Sequence, residues 1–295
     1  MLSTISNLVR LQPEVLGINA RNLRFVYPMN RRKHLHQVNN KLITKQLLDD
    51  RGVPTPPTLA VFRSLKDLKT LRRTIDRLSG FAVKPAMGSG GRGILVIRRD
   101  AFGRLVAPSR GRWTRIDATR VHSHLIHILS GLYSLEHLGE VAYLEQLLVV
   151  DETLGELARC GIPDVRVIVH DGRPIMAMLR IPTCQSAGKA NLHQGAVAFG
   201  IKLETGRTSF AIWKSHVVTR HPDTGHHLPR IQIPHWDDIL NMALRAASCT
   251  ALGYLGVDIV IDRQLGPMVI ELNARPGLSI QLANRKGLLS SLQKV

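Results

Sequence analysis

Apolar and polar positions along this chain follow two periods, and each predicts an element. From Asn39 or Asn40 as a cap, KLITKQLLDDRG carries Leu42, Ile43, Leu47 and Leu48 before Gly52 and Pro54, which predicts a helix of about three turns. Pro54, Pro56 and Pro57 then form a stiff connector. SLKDLKTLRRTIDRLSG spaces Leu65, Leu68, Leu71, Ile75 and Leu78 along one helical face and ends at Gly80. FAVKPAMGSGGRGILVIRRD reads as strand, glycine loop, strand, with Phe81 to Val83 and Ile94 to Ile97 as the two arms of a hairpin.

VHSHLIHILSGLYSLEHLG is helical in period, and VAYLEQLLVV suits a buried strand entering a second lobe, with the boundary near Val141. VRVIVHDGRPIMAMLRI alternates through Asp171-Gly172, a dipeptide that tolerates the positive dihedrals of a tight hairpin. A long loop from Pro182 to Gly195 follows, then a hairpin turning at Thr205-Gly206. WDDILNMALRAASCTALG is a further helix, capped within Pro234 to Asp237. Residues 1 to about 38 are basic and irregular and read as a surface arm. Strands and helices alternate without a strict βαβ rhythm, so the fold class is α+β, two mixed lobes around a cleft. The expected division is 1–50 as a short N-terminal segment, 51–140 as a small lobe and 141–295 as a C-terminal lobe.

The last hairpin carries the strongest chemistry. GVDIVIDRQLGPMVIELNARPG reads as two apolar strands joined by Arg263-Gln264-Leu265-Gly266. If Asp262 pairs with Pro267, the antiparallel ladder sets Asp258 opposite Glu271. Two like charges opposed on adjacent strands repel, and a cation between them resolves the conflict. Asn273 shares the face of Glu271, so three oxygen-bearing side chains converge as a hard-ligand set suited to Mg²⁺. A one-residue slip would turn the carboxylates onto opposite faces, which makes the four-residue loop the assumption on which this rests.

AVKPAMGSGGRG is the second signal. Gly88, Gly90, Gly91 and Gly93 let backbone amides approach phosphate oxygens, and Ser89 adds a hydroxyl. No GK[ST] follows, and strands flank the loop, so it is neither a P-loop nor a Rossmann turn; a hairpin lid over a nucleotide fits. Lys84, between Val83 and Pro85 on the preceding strand, would point its charge at a phosphate.

Composition narrows the partners. Across 295 residues, 44% are hydrophobic and 21% charged, which is ordinary for a folded globular protein. The net charge of +18 concentrates anions near the surface, but only 4% of residues are aromatic and the basic ones are scattered, so neither a stacking platform nor a basic stripe marks nucleic acid as the partner. Cys160, Cys184 and Cys249 are an odd, widely spaced set without CxxC, which argues against a disulfide framework or a zinc site and for a reducing cytoplasm. The N-terminus lacks a continuous apolar stretch of the signal type, and no run reaches the ~18 apolar residues of a spanning helix.

Taken in order, NKLITKQLLDDRGVPTPPT, FAVKPAMGSGGRG, YLEQLLV, DVRVIV, KANLHQGAVAFG and GVDIV with IELNARPGLS resemble the ATP-grasp superfamily, especially the α-L-glutamate ligases that act on a ribosomal-protein tail. The resemblance spans roughly residues 38 to 280. It implies the ATP-grasp fold, the nucleotide between two lobes, with a reduced N-terminal domain. It also implies ATP with Mg²⁺, or Mn²⁺ in its place. By that resemblance Lys41 and Lys84 look like the phosphate-contacting lysines and Gly88 to Gly93 like the lid. Glu145, Gln146 and Leu148 resemble the hinge that receives adenine, Asp164 the acid that binds ribose, and Arg166 a residue facing the γ-phosphate. Lys189, Asn191 and His193 resemble the loop that meets phosphate and substrate, and Asp258, Glu271 and Asn273 match the magnesium ligands.

Arg275 stands where the ribosomal-type ligases carry a small residue, and it could hold a carboxylate bidentately or stabilise an oxyanion. The reaction implied is carboxylate–amine ligation through an acyl phosphate, joining glutamate or a similar amino acid to an acidic peptide or amino acid. Alternatives are an ATP-grasp kinase and a non-catalytic nucleotide-binding module acting with a membrane partner. The chain also resembles a subgroup of glutamate-ligase-like proteins encoded beside membrane-bound transglutaminase-like proteins, which implies such a protein as a partner; a homo-oligomer is expected, in the cytoplasm or peripheral to the inner face of the membrane.

Overall fold

The computed structural model describes residues 14–88, 90–109, 112–134, 140–158 and 160–292. The chain folds as two compact units, one of Asn40–Leu42 with Pro56–Val149, the other of Met1–Asn39, Ile43–Thr55 and Val150–Val295.

The first of these is built on a six-stranded sheet in the order β1-β6-β2-β3-β4-β5. Its strands are β1 (Thr58–Phe62), β2 (Gly80–Pro85), β3 (Leu95–Arg99), β4 (Leu105–Ser109), β5 (Arg112–Arg115) and β6 (Ala142–Gln146). The expected boundary at Val141 is displaced to Val149, because β6 does not enter the second unit; it pairs with β1 on one side and β2 on the other. Ala142, Tyr143 and Leu144 are almost fully buried there, a run that only a central strand can satisfy. Helix Ala118–Leu129, capped by the Asp117 carboxylate, lays Val121, Leu125 and Ile128 into the same core as Phe81, Val83 and Ile97. The amphipathic stretch expected over residues 65–78 is shorter, a 3₁₀ turn at Asp67–Thr70 followed by helix Leu71–Ile75.

The second unit carries a seven-stranded antiparallel sheet, β11-β10-β9-β8-β7-β12-β13. The strands are β7 (Asp164–His170), β8 (Arg173–Ile181), β9 (Val197–Ile201), β10 (Thr208–Trp213), β11 (His216–Val218), β12 (Tyr254–Asp262) and β13 (Gly266–Asn273). Strand alternation sorts its residues cleanly. Val165, Val167 and Val169 of β7 and Leu255, Val257 and Ile259 of β12 face helix Trp236–Ser248, which buries Ile239, Ala243 and Ala246 against them. The opposite parity puts Ile168, Met176, Met178 and Tyr254 on the other face, under Leu16, Phe25, Val26, Ile280 and Leu288.

Residues 1–13 of the expected surface arm lie outside the described residues, and residues 14–38 are no surface arm. Ile18–Arg21, the π-helical Asn22–Val26 and Tyr27–Met29 form a helical cover for that face. Pro28 cannot donate a helical hydrogen bond, and the wide turn sits just ahead of it. Asn30 pins the end of the cover: its Nδ2 donates to Tyr254 O at 2.6 Å and Ala274 O at 2.9 Å, and its Oδ1 accepts from Tyr254 N–H at 3.1 Å. Among the described residues no helix is long and apolar enough to cross a membrane.

Candidate functional site: a buried charge network beside a carboxylate pair

The β12–β13 hairpin reaches the expected pairing by an unexpected route. Asp262 Oδ1 accepts from the Gln264 and Leu265 N–H groups at 2.9 and 3.0 Å, which tightens the turn, and Gly266 takes a φ of 75°. Asp262 consequently pairs with Gly266 rather than Pro267, and Ile259 faces Val269. A bulge between Ile259 and Asp258 then absorbs Ile270 and shifts the ladder by one. Asp258 faces Glu271 and Gly256 faces Asn273.

β12 also pairs with β7, where Arg166 lies opposite Asp258, so Glu271, Asp258 and Arg166 form one row across three strands. Arg166 Nε and Nη2 donate to Oδ1 and Oδ2 of Asp258, both at 2.6 Å. Arg180 on β8 donates through Nε and Nη2 to Asp164 at 2.5 and 2.6 Å, and its Nη2 reaches Asp258 at 2.8 Å. Asp164, Arg166, Arg180 and Asp258 are exposed by only 4%, 8%, 6% and 2%, so two carboxylates and two guanidiniums balance one another out of water. They occupy the polar end of the face that Ile168 and Met176 fill with core.

The two carboxylates are pushed apart in acidity. Burial raises the Asp164 carboxyl to about 6, with Arg180 opposing. Burial also acts on Asp258, but Arg166 and Arg180 outweigh it and hold that carboxyl down to about 2. The difference follows from the hydrogen bonds: Asp258 is served by two arginines and Asp164 by one.

Around this network the chain closes in. A Cβ on Gly256 would meet Pro276 at 2.9 Å and Arg166 Nε at 3.7 Å, so glycine lets the segment after β13 lie on the row. Asn273 Oδ1 accepts from Arg275 N–H at 2.9 Å, and the Arg275 side chain is exposed. Asn191 Oδ1 accepts from His193 N–H at 3.0 Å, starting a 3₁₀ turn that carries His193 Nε2 to 3.4 Å from Ser279 Oγ. Lys189 lies in the same loop, with its N–H on Ser186 O at 3.1 Å.

In the other unit, Lys41 Nζ donates to Gly88 O at 2.7 Å, which ties the lysine at the start of helix Lys41–Asp49 to the glycine loop. Gly90, Gly91 and Gly93 all have left-handed φ values, and a Cβ on Gly88 would strike Pro85 Cγ at 2.3 Å. Ser89 lies outside the described residues. Lys84 is ion-paired with Glu145, its diagonal neighbour across β2 and β6, so the expected phosphate lysine and adenine-hinge acid meet each other. Gln146 donates its N–H to Pro57 O at 3.0 Å and lines a cavity of about 410 Å³ with Leu59, Arg77 and Leu78. Leu148 is half-buried beyond it.

Two of the expected site residues have arginine partners that the sequence did not indicate. Asp164, expected to meet ribose, gives both oxygens to Arg180 and is buried. Asp258, expected as a metal ligand in a half-buried carboxylate pair, lies under two guanidiniums. Arg180 was not expected at all.

Residues 20–295 match the family described as sugar-transfer associated ATP-grasp. The chain belongs to that family. ATP and Mg²⁺ are the cofactors that go with an ATP-grasp protein. No curated protein matches the sequence. Among solved structures, the T882A pyruvate carboxylase of Rhizobium etli, determined with acetyl coenzyme A, is 15% identical with a TM-score of 0.53, over 99% of this chain and 22% of that one. D-cycloserine synthetase DcsG is 16% identical with a TM-score of 0.50, over 88% and 69%. The ATP-grasp ligase PsnB, solved with its minimal precursor, is 18% identical with a TM-score of 0.42, over 84% and 55%, so this family member spans about half of PsnB. The first two likenesses place the ATP-grasp fold on the two antiparallel sheets described above.

The donor set suits magnesium. Carboxylates of Asp258 and Glu271 and the amide oxygen of Asn273 are hard ligands on one ladder, and the Asn273 oxygen keeps a second lone pair beside its bond from Arg275. At Asp258 the cation would compete with Arg166 and Arg180.

Proposed function

We propose that this sugar-transfer associated ATP-grasp protein is an ATP-dependent carboxylate–amine ligase that forms an amide through an acyl phosphate. The observation that carries the reading is the opposition of Asp258 and Glu271, with Asn273 two residues along, in a row that ends on Arg166. Asp258, Glu271 and Asn273 would hold Mg²⁺, which supplies charge neutralisation to the phosphates when bound. Arg166 would face the transferred phosphoryl group, and Lys41 and Lys84 the phosphates, with the glycine loop as their lid. Such chemistry is mostly positioning and offset of charge, and two buried arginines held by two aspartates are pre-organised for it.

Lys189, Asn191, His193 and Arg275 would meet the acceptor. Exposed Arg275 suits a carboxylate, and the charge of +18 suits an acidic peptide or amino acid, with glutamate the first amino acid to try. Glu145, Gln146 and Leu148 would receive adenine, which requires Glu145 to share itself with Lys84. Asp164 we reassign from ribose to the orientation of Arg180. A membrane-bound partner, a homo-oligomer and a cytoplasmic setting at the inner face of a membrane belong to the same reading.

The family's association with sugar transfer favours a second reading, phosphoryl transfer to a sugar hydroxyl. Hydroxylamine trapping separates the two. A hydroxamate that appears with ADP and a carboxylic acid supports ligation; ADP formed with a sugar and never with any of a panel of acids removes it.

A further inference from the structure

Two of the three cysteines, whose spacing argues against a disulfide framework or a zinc site, meet in the fold. Cys160 Sγ lies 3.1 Å from Cys184 Sγ, and an Asp223 carboxylate oxygen lies within 4.8 Å of both. The backbone around them is built for that meeting. A Cβ on Gly161 would stand 2.0 Å from Gly188 O, and both glycines have positive φ, 79° and 75°, so two glycine-bearing turns lie directly on one another. Cys184 N–H donates to Asp223 Oδ2 at 2.7 Å, which fixes the second cysteine. Cys184 is exposed and Cys160 half-buried, so both are within reach of a small oxidant, while Cys249 sits apart with its Sγ on Arg245 O at 3.2 Å.

We propose that Cys160 and Cys184 are a redox modification site, forming a reversible disulfide that fastens the loop bearing Lys189, Asn191 and His193 to the chain entering β7. The oxidant is a small-molecule disulfide of the glutathione class. The hydrogen bond with Cys160, with burial and the Asp223 carboxylate adding to it, pushes the Cys184 thiol up to about 12, so Cys184 keeps its proton and Cys160 attacks first. The Cys160 thiolate opens the oxidant's S–S bond and releases one small thiolate. Cys184 then loses its proton and attacks the Cys160 sulfur of the mixed disulfide, releasing the second. Two protein thiols are oxidised and one small disulfide is reduced to two thiols.

The test uses the full chain equilibrated with reduced and oxidised glutathione at graded ratios, quenched with N-ethylmaleimide and analysed by intact mass and peptide mapping. The expected result is joint loss of two thiols, a Cys160–Cys184 peptide, Cys249 alkylated throughout, and full reversal by dithiothreitol. The oxidised chain should melt roughly 5–10 °C higher and be cut more slowly within residues 182–195. Cys184→Ser should stop at a stable glutathione adduct on Cys160. Cys160 and Cys184 alkylated independently at every ratio would overturn the proposal. So would one tightly held zinc per purified chain that shields both thiols, since the trio with Asp223 would then be a metal site.

Discussion

Asp164 and Asp258 share one guanidinium, that of Arg180, whose Nη2 lies 2.6 Å from the first and 2.8 Å from the second. Arg180 is 6% exposed, so its loss strands two buried carboxylates at once. Breaking a buried ion pair by removing one partner costs about 3–5 kcal/mol. Arg180→Met is expected to lower the unfolding free energy by that amount in urea titration, and Asp164→Asn in the same chain should recover part of it. A loss below about 1 kcal/mol would show that the network contributes no such coupling.

The acidity of Asp164 gives a pH dependence with a definite sign. Its folded-state carboxyl is raised to about 6 from 3.8, so between these values the folded chain holds a proton that the unfolded chain has released. Stability from this group is full below 3.8 and declines as pH rises through about 6. Asp258, held down to about 2, acts in the opposite sense only at much lower pH. Wild type minus Asp164→Asn, followed by thermal melts from pH 4 to 7, is expected to fall with rising pH. A difference flat across that range would contradict the shift.

Two bulges explain what the sequence concealed. The Asp171-Gly172 turn is legible and starts β7–β8 with His170 opposite Arg173, a register that would place Asp164 opposite Leu179. An irregularity between Ile168 and Val169 moves the ladder by one and sets Asp164 opposite Arg180. Ile270 does the same on β13, where it rescues the Asp258–Glu271 pairing from a turn one residue tighter than expected. Alternation reveals which residues share a face, and glycine, proline and capping residues reveal where strands turn. A bulge leaves no such mark, so Arg180 could not be assigned. The helical cover was hidden for another reason: Leu16, Phe25 and Val26 are spaced by a π turn, and their period fits neither helix nor strand.

Asn30 holds that cover to the start of β12 and the end of β13 through three hydrogen bonds to backbone. It is 4% exposed, so truncation leaves buried N–H and C=O groups without a partner. Asn30→Ala is expected to cost about 3 kcal/mol. Hydrogen exchange should show amides of residues 16–29 losing protection before those of helix Trp236–Ser248. Equal loss in both would mean that the cover is not a separate unit of stability.

Glu271 and Asp258 face each other but stand in different surroundings, and this separates metal binding from folding. Asp258 is almost fully buried under Arg166 and Arg180, whereas Glu271 is only half-buried at the edge strand β13. Asp258→Asn removes charge from beneath two guanidiniums and should destabilise the chain by about 3 kcal/mol. Glu271→Gln keeps shape and removes a proposed metal ligand, so its melting point should stay within a few degrees of wild type. Both variants should lower Mg²⁺-dependent ADP release by at least about 100-fold, as loss of several kcal/mol of transition-state stabilisation requires. Partial rescue of Glu271→Gln by higher Mg²⁺ would tie the loss to cation affinity. Turnover by Glu271→Gln at the wild-type rate would instead remove Glu271 from the site, and the ladder would carry its opposed carboxylates for the arginine network alone.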